Sequence, residues 1–151
     1  VATILYRIAG EPAADDASPE FSDVADPSAY YYSAVRWARG AHVVNGVGDT
    51  NTFSPDSPVT REQLAIMIAN YAREVAGLST AGDVSGLDSL FVDASAIHDW
   101  SAESVAWCAE KGIITGQVGE SGAYANPEAE ATRAEMAKIT TVFHRDVLGI
   151  G

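Results

Sequence analysis

Two Thr-Arg pairs carry the chemistry that is easiest to read in this chain: Thr60-Arg61-Glu62-Gln63 and Thr132-Arg133-Ala134-Glu135, set 72 residues apart. A guanidinium presents a planar fork that matches a carboxylate with two parallel hydrogen bonds. The threonine before each arginine, with Gln63 or Glu135 three residues on, forms a capping box, which predicts that each arginine opens a helix. Positive charge at that end opposes the helix dipole by about 0.3–1 kcal/mol. Helix stability is therefore a poor reason for either arginine. Two readings stand: contact with a ligand carboxylate, or a structural salt bridge to Asp56, Glu128 or Glu130.

A second set of pairs recurs at a spacing of 70 residues. Asp23 and Asp93 close Phe-x-Asp elements and could cap or turn the chain or line a groove. Tyr30 and Trp100 open their segments, where an aromatic face could stack on a ligand ring; core packing is the preferred reading. Trp37 and Trp107 read as core, with the indole N–H seeking a carbonyl. Gly46, Gly48 and Gly116 permit turns, and Gly46 and Gly116 could also admit a closely packed ligand.

Other chemistries find little support. Asp49, Asn51 and Asp56 lack the spacing and final glutamate of a calcium loop. His42, His98 and His144 are scattered without metal-ligand spacing. Glu62 with Asp56 could be imagined as a hydrolytic pair, but both surround a helix cap. There is no phosphate-cradling glycine loop and no nucleophile elbow. Cys108, the only cysteine, rules out an intrachain disulfide and reads as a buried, inert thiol. These observations predict a protein with no enzyme activity, cofactor or metal.

Nine basic against 21 acidic residues give a formal charge of -12. That balance argues against nucleic acid and anionic lipid as partners, since phosphate contacts need basic clusters. It leaves room for an anionic carbohydrate met by a local arginine. No apolar run reaches membrane-spanning length, and the first residues do not resemble a signal peptide.

These residues need a scaffold that is itself duplicated. Each copy reads as a Phe-x-Asp segment, a first helix, a turn-rich loop and a second helix. The first helix of the earlier copy is expected from Pro27 or Ser28 to Ala41, with Phe53 in the following loop returning to the core. Leu64, Met67, Ile68 and Tyr71 form the stripe of its second helix, as Met136, Ile139, Thr140 and Phe143 do in the later copy. Residues 1–10 match the second helix of a further copy, with Val1, Ile4, Leu5 and Ile8 on one face. The expected division is 1–10, a linker 11–20, a repeat 21–76, a linker 77–90 and a repeat 91–151. A helix pair of this size cannot bury both apolar faces alone, so the second helices should share a bundle. Burying the four side chains of residues 1–10 there contributes roughly 1.5–3 kcal/mol each, less the cost of ordering them.

The ordered set Phe21-x-Asp23-Val24, Tyr30 to Trp37, Val43-Val44-Asn45-Gly46, Phe53-Ser54-Pro55 and Thr60-Arg61-Glu62-Gln63 recurs. Its second copy is Phe91-x-Asp93, Trp100 to Trp107, Gly112-Ile113-Ile114-Thr115-Gly116 and Thr132-Arg133-Ala134-Glu135. The chain thereby resembles the S-layer homology repeats that tether bacterial surface proteins and exoenzymes to the cell wall. The resemblance implies an all-α, pseudo-threefold arrangement of helix-loop-helix modules around a central bundle, with the first repeat truncated. It implies an extracellular place at the bacterial cell wall and a secondary cell-wall polysaccharide as partner. That glycan often bears pyruvate ketals on N-acetylmannosamine and lies in grooves between repeats. The family's principal ligand arginine falls on Arg61 and Arg133.

The chain departs from the family pattern at Ala41-His42, where Lys111-Gly112 keeps the usual turn. It departs again in the longer loop 119–127, and at Gln63 in place of a glutamate. The matching of Val1–Ala9 to Leu64–Ala72 suggests a fragment or processed product of three repeats. It also makes self-association through the truncated repeat, or a protein–protein assembly role, the competing expectation.

Overall fold

The computed structural model describes residues 1–14, 20–46 and 50–149. Both Thr-Arg elements nucleate helices as expected. Thr60 and Thr132 accept hydrogen bonds from the amides three residues on, while the side chains of Gln63 and Glu135 accept from the cap amides. Two donors that a helix start would leave orphaned are thereby satisfied. In chain order the helices are α1 (Ala2–Ile8), α2 (Tyr32–Gly40), α3 (Arg61–Glu74), α4 (Leu87–Leu90), α5 (Asp99–Glu110) and α6 (Arg133–Val142). The chain then passes from α6 into a π-helical turn, Phe143–Val147.

Three local expectations are corrected. The helix α2 starts at Tyr32 because Asp26 holds the preceding residues in a turn: its carboxylate accepts from both the amide and the hydroxyl of Ser28. Such local bonds compete with helix. The stretch 77–90 is not a bare linker, since Asp83 caps a 3₁₀ turn (Val84–Gly86) and α4 carries the buried Leu87 into the core. In the longer loop, Gln117–Gly119 (β1) and Gly122–Tyr124 (β2) pair as an antiparallel hairpin, the one ladder of paired strands among the described residues of an otherwise helical fold.

The helices share one core. Leu5, Leu64, Ile68, Trp107 and Phe143 are fully enclosed within it. A chain of ring contacts runs Tyr6–Trp37–Tyr71–Phe143, with centroids 5.6, 6.2 and 5.6 Å apart. It joins α1, α2, α3 and the C-terminal turn, so residues 1–10 do take part in the common core. The closest helix pairings, however, are α1 with α2 and α3 with α5. The second helices α1 and α3 are therefore each completed by the first helix of the following repeat, and both contribute to the shared core.

Trp37 and Trp107 are core residues as expected, but the buried indole Nε1 of Trp107 finds no acceptor among the described residues. Cys108 is enclosed between α5 and α3, its thiol directed at the Ala65 carbonyl. Burial pushes that thiol far above its ordinary pKa, which makes it inert. Within the apolar face of α6, the Thr140 hydroxyl donates to the Met136 carbonyl, at 2.7 Å, and is thereby satisfied.

The two first helices end alike. The amides of Val43 and Val44 both donate to the Ala38 carbonyl, and those of Ile113 and Ile114 both donate to Cys108. This closure needs a left-handed residue, supplied by Gly112 at φ 71° and by His42 at φ 60°. A side chain there costs about 1–2 kcal/mol, partly offset by the larger unfolded-state entropy of glycine. Replacing His42 by glycine should therefore raise unfolding stability by about 0.5–1 kcal/mol, measured as an increased urea midpoint at unchanged m-value.

Candidate functional site

Arg61 sits at a seam between repeats. The residues ahead of the two second helices pair across it: Thr60 bridges Glu130, and the Ala131 amide donates to the Val59 carbonyl at 2.8 Å. The amides of Arg61 and Glu62 donate to the carbonyls of Ala129 and Pro127, at 2.9 and 3.0 Å. The start of α3, which would otherwise attract an anion, is thus closed by backbone. The Arg61 side chain is buried, its Nε donating to Ala125 O at 2.8 Å and its Nη1 to Glu135 Oε1 at 2.5 Å. The sequence reading named Asp56, Glu128 or Glu130 as salt-bridge partners, whereas the partner is Glu135, 74 residues away. That carboxylate also accepts from Gln117. The Thr132 amide, opposed by desolvation and aided by the Arg61 charge, holds its pKa below the ordinary glutamate value.

Asp23 and Asp93 perform one task in the two copies. Asp23 accepts from the amides of Phe53 and Ser54, at 2.8 and 2.7 Å. Asp93 accepts from those of Ala125 and Asn126, at 2.7 and 2.9 Å. Ser54 and Asn126 both have positive φ, 58° and 45°, so each carboxylate pins a strained corner ahead of a proline. Desolvation works to raise the pKa of Asp23, but the two amide bonds outweigh it and hold it low.

Gly46 and Gly116 are matched in the same manner. A Cβ at Gly46 would meet the Phe21 ring at 3.0 Å, and one at Gly116 the Phe91 ring at 2.9 Å. With φ of 99° and 77°, both positions need glycine for turn and packing.

Tyr30 and Trp100 overturn the core expectation, being 86% and 60% exposed. Tyr30 lies in the turn that shortens α2, its ring edge-on to Tyr31. Trp100 occupies the first turn of α5 and stacks on the His98 ring, with centroids 5.0 Å apart and planes at 17°. Both face one cleft of about 730 Å³ between the N-terminal end of α1, the second repeat and the start of α5. Gly46 also lines it, with Asn45, Gln63 and Asn70 as hydrogen-bonding groups, and the larger part of the lining is apolar. Among the described residues, no lysine, arginine, aspartate or glutamate lines it.

The structure therefore brings Tyr30, Gly46 and Trp100 together. It leaves Arg61, Asp23, Asp93 and Gly116 in bracing roles, away from the lining of that cleft. Arg133 stands exposed at the start of α6, with no hydrogen bond or ion pair among the described residues. The calcium-loop candidate Asp49, like Gly48, lies outside the described residues.

Sequence reasoning set Glu62 and His98 aside separately and missed the contact between them. Glu62 is 3% exposed and receives the amide and Nδ1 of His98 and the hydroxyl of Ser101, which ties it to the start of α5. An acidic side chain suits a helix N-terminus, but a partner 36 residues away leaves no local signal. Asn45, a cleft residue not singled out for a role, stands beside the motif glycine Gly46, which is the cue that could have found it.

A family model described as S-layer homology domain matches residues 20–65 and 90–137, well over half of the chain. Each match runs from a Phe-x-Asp brace to the Thr-Arg element. The chain belongs to the S-layer homology domain family. Three relatives align with it. It is 32% identical to an amylopullulanase of Thermoanaerobacterium thermosulfurigenes, over 81% of this chain and 6% of that protein. It is 32% identical to the exoglucanase XynX of Acetivibrio thermocellus, over 80% and 10%. It is 30% identical to the surface-layer 125 kDa protein of Lysinibacillus sphaericus, over 84% and 10%. The chain thus spans about a tenth or less of these relatives, and the matches are to their S-layer homology part. S-layer homology domains are non-catalytic anchors of surface proteins on the bacterial cell wall.

The seam and the free arginine should separate in a stability measurement. Arg61→Ala leaves Glu135 without its cation and should cost about 2–4 kcal/mol. Arg133→Ala should stay within about 0.5 kcal/mol of the parent. Because the pKa of Glu135 and of Asp23 is lowered by folding, their contributions are present above the unfolded carboxylate range. They are lost as pH falls through the folded values. Urea melts across the acid range should show a shallower loss in Glu135→Gln than in the parent, from a lower starting stability.

Proposed function

We propose that this S-layer homology chain holds a secondary cell-wall polysaccharide, with sugar rings stacked on Tyr30 and Trp100 at the cleft. The observation that carries this reading is the pairing of two exposed aromatic faces, from equivalent positions of two repeats, on one largely apolar cleft. Exposed rings beside amide side chains offer a sugar both an apolar face and hydrogen-bond partners. Asn45 and the Nε2 of Gln63 supply the polar contacts, the Asn70 amide being engaged by Val43 and Arg73 and the Gln63 oxygen by the Thr60 amide. Where the glycan carries pyruvate ketals on N-acetylmannosamine, a ketal carboxylate on a sugar that extends beyond the cleft is met by Arg133, which stands outside the cleft's lining with its fork unoccupied. Arg61 serves the site indirectly by holding the repeats in register.

A second reading has its own support. Phe53 and Gln63 are the counterparts of Ala125 and Glu135, the two acceptors of Arg61, and both line the cleft. A Thr-Arg turn from another repeat, in the same polypeptide or a second copy, would dock there as a protein–protein contact.

Co-sedimentation with purified wall material distinguishes the two. On the glycan reading, Tyr30→Ala and Trp100→Ala each weaken binding about three- to tenfold. Arg133→Ala weakens binding only to pyruvylated material, and chemical removal of the ketal erases that difference. Undiminished sedimentation of the Tyr30/Trp100 double variant, with self-association that rises with concentration, would favour assembly instead.

A further inference from the structure

His98 lies where three parts of the molecule meet. Its Nδ1 is 2.7 Å from Glu62 Oε1 on α3, and its Nε2 is 3.4 Å from Glu128 Oε1 in the loop ahead of α6. The ring face covers Trp100, one of the aromatic side chains that line the cleft. A neutral imidazole has one N–H, so it donates to one of these carboxylates and turns a lone pair toward the other. An imidazolium donates to both.

The surrounding charges can be named. Glu62 faces the ring from α3 and Glu128 from the loop, while on its own helix Asp99 follows directly. The start of α5 opposes a cation through its dipole, and two carboxylates in contact stand against it. No lysine or arginine among the described residues is paired with the ring. Proton uptake also converts the stack on Trp100 into a cation–π contact. Imidazole is the side chain that changes charge between about pH 5 and 8.

We propose that His98 is a positioning residue for the cleft: its protonation locks the ring between Glu62 and Glu128, fixes Trp100 and tightens the hold on glycan in mildly acidic surroundings. The binding half of this proposal rests on the glycan reading above; the coupling of His98 to Trp100 does not.

The test therefore has two arms. In the first, the Trp100 indole N–H resonance, assigned with Trp100→Phe, is followed from about pH 5 to 8 without glycan. A sigmoidal shift is expected in the parent, absent in His98→Gln and reduced in Glu128→Gln. The latter removes one charge from an exposed side chain and leaves the imidazole in place. In the second arm, affinity for purified wall glycan is measured at both ends of the range. The parent should bind about two- to fivefold tighter at the acid end, while His98→Gln, its folding checked by thermal melt, should show no pH dependence. A Trp100 resonance that ignores pH, or moves identically in His98→Gln, overturns the proposal whatever the glycan result. An intact shift with pH-independent binding overturns the role in binding. An intact shift with no binding at any pH sinks the glycan reading and supports the ring coupling alone.

Discussion

The seam where one repeat closes the helix start of another is the constraint on which the remainder depends. Four hydrogen bonds converge there on Arg61 and its neighbour: two from their amides and two from the guanidinium. None of the acceptors belongs to the repeat that contributes the arginine. A buried guanidinium without them would be an uncompensated charge, so the third-repeat loop and α6 must take their observed places for α3 to exist as it does. Glu62 makes the reciprocal tie from α3 to the start of α5. Together these contacts fix the angle between repeats and hence the walls of the cleft.

The two copies share a plan and differ in what they spend it on. Asp23 and Asp93, or Gly46 and Gly116, are interchangeable in role because each solves a local problem: pinning a corner, or passing a backbone over a phenylalanine. Arg61 and Arg133 share a motif but not a task, because their surroundings come from different repeats. One is enclosed and paired; the other is exposed and free. Sequence equivalence guarantees the same backbone position, while the neighbouring module decides what the side chain does there.

This is also why the sequence was legible only in part. Capping boxes, the apolar stripes of α3 and α6 and the burial of Trp37 and Trp107 follow from residues within one or two turns of each other. The shortened α2 was misjudged because the Asp26–Ser28 turn competes locally with helix, and the structured stretch after Gly77 because its polar residues cap rather than unfold. The exposure of Tyr30 and Trp100 depends on which repeats flank them. The Arg61–Glu135 pair and the Glu62–His98 tie span 74 and 36 residues and leave no trace in local periodicity.

The alternation of α1 with α2 and α3 with α5 has a kinetic consequence. A repeat emerging from the ribosome or a translocation pore cannot complete its own second helix, because the partner surface belongs to the module still to come. Contacts so distant in sequence form slowly, since a long loop must close before they reward it. The start of α3 is thus closed only when residues as far along as Ala125 and Glu135 are available, so the seam is the last part of the fold that synthesis makes possible.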